Sequence, residues 1–321
     1  MQHNDDAFAT MLLMSQLSAS KEEIVRPLST GEYYDLCARI ASSRLKSLGA
    51  LIGMDLSAVR QALRLEESEA YRLCVLLGRV MPLSYALEHF ADGGIDIVTV
   101  NEDAYPARLT ERLNKKAPPM LYTCGDLSLA GRTSAAVISS TCAKPEVLDC
   151  ACELAAMLCA EDIVMVTGGE NGFGRLIEQE ALQEGGCSIT FLAESLADRV
   201  YQPGLSEMIA TNRALVLSMI HPEAKYTVTH ALDRNKCLYA LSSAAFVIAC
   251  EKGKGTAWDG ASSALRSGYT DKLYVWDNPN LAGNQELLAR GAIPFRSPHE
   301  LALKEMKAAW ETPSYEQTSL F

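Results

Sequence analysis

Apolar positions divide this chain into two regimes. From Thr133 onward, short continuous apolar runs alternate with amphipathic stretches. The runs predict strands at Ala135–Ser140, Ile163–Thr167, Cys187–Ala193, Ala214–Met219, Ala244–Cys250, Lys272–Trp276 and Ala292–Phe295. Strands that are apolar along their whole length, with helices between them, belong to parallel sheets covered on both faces. Before Thr133 the spacing is helical, over Glu32 to Ala41, Leu56 to Leu65 and Ser68 to Gly78, with Gly31, Gly49, Gly53 and Pro82 as punctuation. Residues 101–125, with Tyr105-Pro106 and Pro118-Pro119, read as extended. The expected organisation is a helical N-terminal domain over 1–100, a linker over 101–132, an α/β domain over 133–300 and a tail over 301–321. Periodicity fades after about Ala309.

The 321 residues are 48% hydrophobic, enough for a substantial core, and no run approaches the roughly 20 apolar residues of a membrane span. The acidic start, with Asp5 and Asp6, is unlike a signal peptide. Ten scattered cysteines without a Cys-x-x-Cys read as reduced thiols, so a cytoplasmic location is expected. The net charge of −11 argues against a broad nucleic-acid-binding face. Between Ile220 and Val275, however, seven Lys/Arg stand against five Asp/Glu, which leaves room for a local basic groove.

Two basic turns stand out. Arg234-Asn235-Lys236 reads as the opening of a helix that leads into the Ala244–Cys250 strand. Helix dipoles favour anions at their start, so two cations there suggest a bound anion; the bland alternative is a solvated helix end. The next strand is followed by Lys252, Lys254, Gly255 and Thr256, where glycines permit close backbone approach and Thr256 is placed to cap a helix or donate to a phosphate. An exposed turn explains the same residues. Gly168 to Gly174 also lies between a strand and a helix, but is neither G-x-G-x-x-G nor a Walker loop, and Glu170 would repel a phosphate. The histidines show neither triad order nor ligand spacing, so no metal, NAD or ATP and no cofactor is expected. Tyr226, Tyr239 and Trp258 are candidate base-stacking residues.

Asp103-Ala104-Tyr105-Pro106-x-x-Leu109, Ala117-Pro118-Pro119-Met120-Leu121-Tyr122-x-x-Gly125, Arg234-Asn235-Lys236 with Leu241-Ser242, Gly255-Thr256, and Gly283-Asn284 with Leu287-Leu288-x-x-Gly291-Ala292 occur together and in order. In these residues the chain resembles the DprA/Smf family of DNA-processing proteins, from about Asn101 to Pro298. The resemblance implies an extended Rossmann-like fold, single-stranded DNA binding without catalysis, self-association into a homo-oligomer and hand-over of DNA to a recombination partner. Together with the two basic turns, it makes Arg234, Asn235, Lys236, Lys252, Lys254, Gly255, Thr256 and Arg175 the expected phosphate-binding residues. Three departures accompany it. Ser139-Ser140-Thr141 stands where the family has Gly-Ser-Arg. Gly172-Phe173-Gly174 replaces the family's Gly-Ile-Asp, with Arg175 as a partial substitute for the lost charge. Lys236 replaces an arginine and lacks its fork.

The alternative is a DprA-like regulator, antitoxin-like, that restrains a toxin-like partner in a bacterial antiviral defence module. A nucleotide phosphoribohydrolase-like enzyme fits poorly, because Gly253-Lys254-Gly255-Thr256 matches that glycine pattern only faintly. Finally, Gln317, Leu320 and Phe321 resemble the short peptide that docks proteins onto the bacterial sliding clamp.

Overall fold

The computed structural model describes residues 3–17, 25–140, 144–270 and 272–311. Thr141 and the tail residues Gln317, Leu320 and Phe321 lie outside the described residues. The chain forms two compact units, one from 1–128 with 191–237 and the other from 129–190 with 238–321.

The first unit opens with helices α1 (Asp5–Met14), α2 (Thr30–Ser42), α3 (Leu56–Leu63), α4 (Glu67–Leu77) and α5 (Val80–Asp92). Helix α2 starts with a capping box: Glu32 N–H donates to Ser29 Oγ and Ser29 N–H to Glu32 Oε2. Arg72 of α4 donates to Glu32 Oε1 at 2.7 Å and to the Pro27 carbonyl at 2.8 Å, joining the two helices. The region expected to be helical is helical, with α1 and α5 added. Next come β1 (Asp96–Thr99), α6 (Ala107–Leu113) and β2 (Met120–Gly125). The stretch read as an extended linker thus holds a helix and a strand. Its prolines mark element starts: Pro106 is the N-cap of α6, and Pro118-Pro119 leads into β2.

The second unit begins with β3 (Ser134–Ser139), α7 (Pro145–Ala160), β4 (Val164–Thr167), α8 (Phe173–Gln183) and β5 (Ser188–Leu192). The chain then returns to the first unit through α9 (Leu196–Arg199), α10 (Leu205–Ala210), β6 (Ala214–Ser218) and α11 (Val228–Leu241). It finishes in the second unit with β7 (Ala244–Ala249), α12 (Gly255–Ser267), β8 (Leu273–Trp276), α13 (Ala282–Ala289), β9 (Ile293–Phe295) and α14 (Leu303–Glu311).

All seven strands expected from the apolar runs are present. Six of them form the parallel sheet of the second unit, in the order β5-β4-β3-β7-β8-β9. β3 and β7 are buried along their whole length, as strands covered on both faces must be. β6 pairs antiparallel with β2, itself antiparallel to β1. The fold is α/β, with a Rossmann-like parallel sheet and a helical N-terminal region. Among the described residues no helix is long and apolar enough to cross a membrane.

Candidate nucleic-acid interface

In the second unit the strand order reverses at β3. Successive strands β3, β4 and β5 run one way from it, and β7, β8 and β9 run the other. The crevice outside the carboxyl ends of the two central strands is where open α/β sheets bind ligands. Here it is a cavity of about 400 Å3 whose lining includes Ser140 after β3, Cys250, Glu251, Lys252 and Lys254 after β7, and Leu281 to Gly283 at the start of α13.

Three helices begin at this cavity: α7 after Lys144, α12 after Lys254 and α13 after Leu281. None of the three has a side-chain N-cap. Each helix start carries backbone N–H groups with no partner inside the helix, and the dipole adds positive potential there. Such ends bind anions when they converge. Three lysines share the lining. Lys252 Nζ is 2.7 Å from Glu286 Oε2, and Lys252 with Arg290 holds the Glu286 carboxyl below the usual carboxylate range. Lys144 and Lys254 are exposed and make no ion pair among the described residues. The turn depends on glycine: Gly253 and Gly255 have φ of +72° and +80°, a region L side chains rarely adopt.

The floor is rigid. Asn284 is fully buried, accepts from the Cys250 N–H at 3.0 Å and donates to the carbonyls of Ile248 and Trp276. Beside it, a Cβ on Gly283 would lie 2.1 Å from the Cys250 carbonyl oxygen, so α13 approaches β7 as closely as only glycine permits. Burial raises the Cys250 thiol to about 12, which leaves it a packing group.

The other expected site residues fall elsewhere. Arg234, Asn235 and Lys236 do not open α11 but sit in its middle, because Thr227 starts the helix seven residues earlier by accepting from the His230 N–H. Arg234 is 4% exposed and donates to the Phe191 carbonyl at 2.8 Å, and Asn235 is also buried. Lys236 keeps partial exposure, 3.9 Å from Asp233. None of the three lines the cavity, nor does Arg175. Thr256 is the second residue of α12, whose N-cap is Lys254.

Arg175 lies half-buried in the first turn of α8, after the glycine-rich turn. There the chain supplies its own anion, since the Glu170 carboxylate packs so near Gly174 that a Cβ would come within 3.0 Å of Oε2. Tyr239 and Trp258 are buried, with the Arg290 guanidinium 5.0 Å from the Trp258 ring centroid, so neither offers a face to a base. Tyr226 is exposed. Lys144 was missed in the sequence. Its signal was a lysine before the helix-starting proline that follows β3.

The family model of DNA recombination-mediator protein A matches residues 96–306. The chain belongs to this family. The match spans both the antiparallel strands and the parallel sheet with its crevice. Among solved structures, DNA processing protein A from Streptococcus pneumoniae is 18% identical with a TM-score of 0.64, over 85% of this chain and 96% of that one. DNA processing protein A from Helicobacter pylori, described for its single-stranded DNA binding mode, is 23% identical with a TM-score of 0.54, over 67% of this chain and 96% of that one. At these identities the likeness is one of fold. No curated protein matches the chain.

Proposed function

We propose that this member of the recombination-mediator family is a non-enzymatic DNA-processing protein. It holds the backbone of single-stranded DNA in the crevice between the carboxyl ends of β3 and β7. The observation that carries this reading is the convergence of three uncapped helix starts on one cavity bordered by Lys144, Lys252 and Lys254. Backbone N–H groups and lysines are phosphate ligands, and they read no sequence. The single-stranded DNA binding of the H. pylori relative supports the same assignment. Since Arg234 is buried, the phosphate contacts move to Lys144, Lys252 and Lys254. The free thiols of the nine described cysteines suit a reducing compartment, and we place the protein in the cytoplasm.

The test is fluorescence anisotropy of a labelled single-stranded oligonucleotide across a salt series. Three phosphate contacts give a log–log slope of about −2 by counterion release from single strands. The Lys144→Ala/Lys254→Ala variant is expected to flatten it to about −0.7. A wild-type protein that fails to bind at low salt, or a double variant with an unchanged slope, refutes the site.

A further inference from the structure

The helical N-terminal region carries a second cationic surface that the reading above does not use. Residues 39–64 hold five Lys/Arg and one Asp, in a chain whose net charge is −11. Four of the cations, Arg39, Arg44, Lys46 and Arg64, line one cavity of about 1090 Å3, whose lining contains no carboxylate and no aromatic ring.

All four are exposed, and none makes an ion pair among the described residues. Lys46 Nζ reaches only the Ala41 carbonyl, at 3.4 Å. The remaining charges of the segment are accounted for elsewhere. Arg60 pairs with Glu67 at 3.2 Å, and Asp55 caps α3 by accepting from the Ala58 N–H at 2.8 Å. The cations facing the cavity are therefore the ones left without counter-charge.

Their backbone is also unusual. Among the described residues, five other than glycine have positive φ; three are Asn or Asp, which tolerate it, and the other two are Lys46 and Arg64. Both turns that edge the cavity thus carry a cation at a position that favours glycine or asparagine.

We propose that this cavity is a second nucleic-acid site, one that takes the phosphodiester backbone of duplex DNA. Four cations with Ser42 and Gln61 on the lining are the side chains that contact phosphates without reading bases. Single-strand binders add aromatic side chains for stacking. Their absence from this lining selects a polymer whose bases stay paired. The volume is also at or beyond the upper end of small-ligand pockets, more than one phosphate needs. The proposal is independent of the crevice reading, because it rests on different residues and a different form of DNA.

The test uses the full chain with a labelled duplex and with one of its strands alone. The wild type is compared with Arg39→Gln/Arg44→Gln/Lys46→Gln/Arg64→Gln. Four contacts to B-form DNA contribute about −3.6 to the log–log salt slope, so the variant's duplex slope is expected to flatten by about that much. Its single-strand slope is expected to match wild type. If the fourfold variant melts early, Arg44→Glu alone serves, with a flattening of at least about 0.9, one contact's worth. Three outcomes overturn the proposal. The wild type fails to bind duplex at low salt, the variant keeps the wild-type duplex slope, or inorganic phosphate displaces duplex far better than chloride at equal ionic strength. The last result would assign the cavity to a small free anion. Loss of single-strand binding in the Lys144→Ala/Lys254→Ala variant, with duplex binding intact, would separate the two sites.

Discussion

Replacing Asn284 with alanine tests whether the floor of the crevice is held by one amide. Four hydrogen bonds are lost at a fully buried position, the weakest from the Cys250 thiol, and the Cys250 N–H and the Ile248 and Trp276 carbonyls lose their side-chain partner. A buried donor without a partner costs about 1–3 kcal/mol, and under-satisfied carbonyls cost less because each has a second lone pair. The sum is about 3 kcal/mol, near the upper end of ordinary single substitutions. For a unit of this size that lowers the melting temperature by about 6–12 °C. Urea denaturation followed by circular dichroism reads the difference, with the midpoint falling and the slope unchanged. Gln285→Ala is the control. Its neighbouring amide bonds the Asp277 carboxylate from a half-buried position, and its loss is expected to cost under about 0.5 kcal/mol. An Asn284→Ala protein within about 1 kcal/mol of wild type would mean that the three groups find other partners, and the argument for a single pin would fail.

Gly283→Ala is expected to cost about 1–3 kcal/mol by overpacking, and to weaken single-strand binding because α13 must back away from the Cys250 carbonyl; a variant with wild-type affinity and melting would refute the close approach. Glu32 titrates at about 2, first because Arg72 donates to it and also because the Ser29 cap does. Its folded-state value lies below the unfolded one, so its contribution is full above about pH 4.5 and is lost as pH falls towards 2. The gap in melting temperature between wild type and Glu32→Gln should therefore shrink between neutral pH and pH 3, modestly, because the pair is partly solvated; a constant gap would remove the carboxylate from the explanation. Arg234→Met is expected to destabilise the first unit through the lost Phe191 contact while leaving the single-strand salt slope unchanged; a flattened slope would restore this arginine to the DNA site.

The parallel sheet was legible because β3 and β7 are covered on both faces, and such strands leave unbroken apolar runs in the sequence. β1 and β2 were not, since β1 is short and β2 follows two prolines that suggested an extended linker. The antiparallel pairing of β2 with β6, nearly a hundred residues later, is encoded by no local pattern. At the site, the Lys252–Thr256 turn was visible from its glycines and charges. The meeting of three helix starts was not, because it follows from the placement of β3 beside β7. Arg234 misled in the opposite way. Charge suggested a surface ligand, but the guanidinium is buried and donates to the Phe191 carbonyl.

The three crossings between units, after Ser128, inside β5 and inside α11, bear on how the chain can be made. β2 leaves the ribosome well before β6, its antiparallel partner, and the intervening chain builds half of the other unit. At synthesis rates of roughly 5–20 residues per second, β2 waits on the order of 5–20 s with one edge unpaired. Neither unit is made in one uninterrupted stretch: the first is complete only at residue 237, with the second still short of its last part. A nascent chain halted after α8 would hold both halves unfinished, a natural client for a chaperone that shields strand edges.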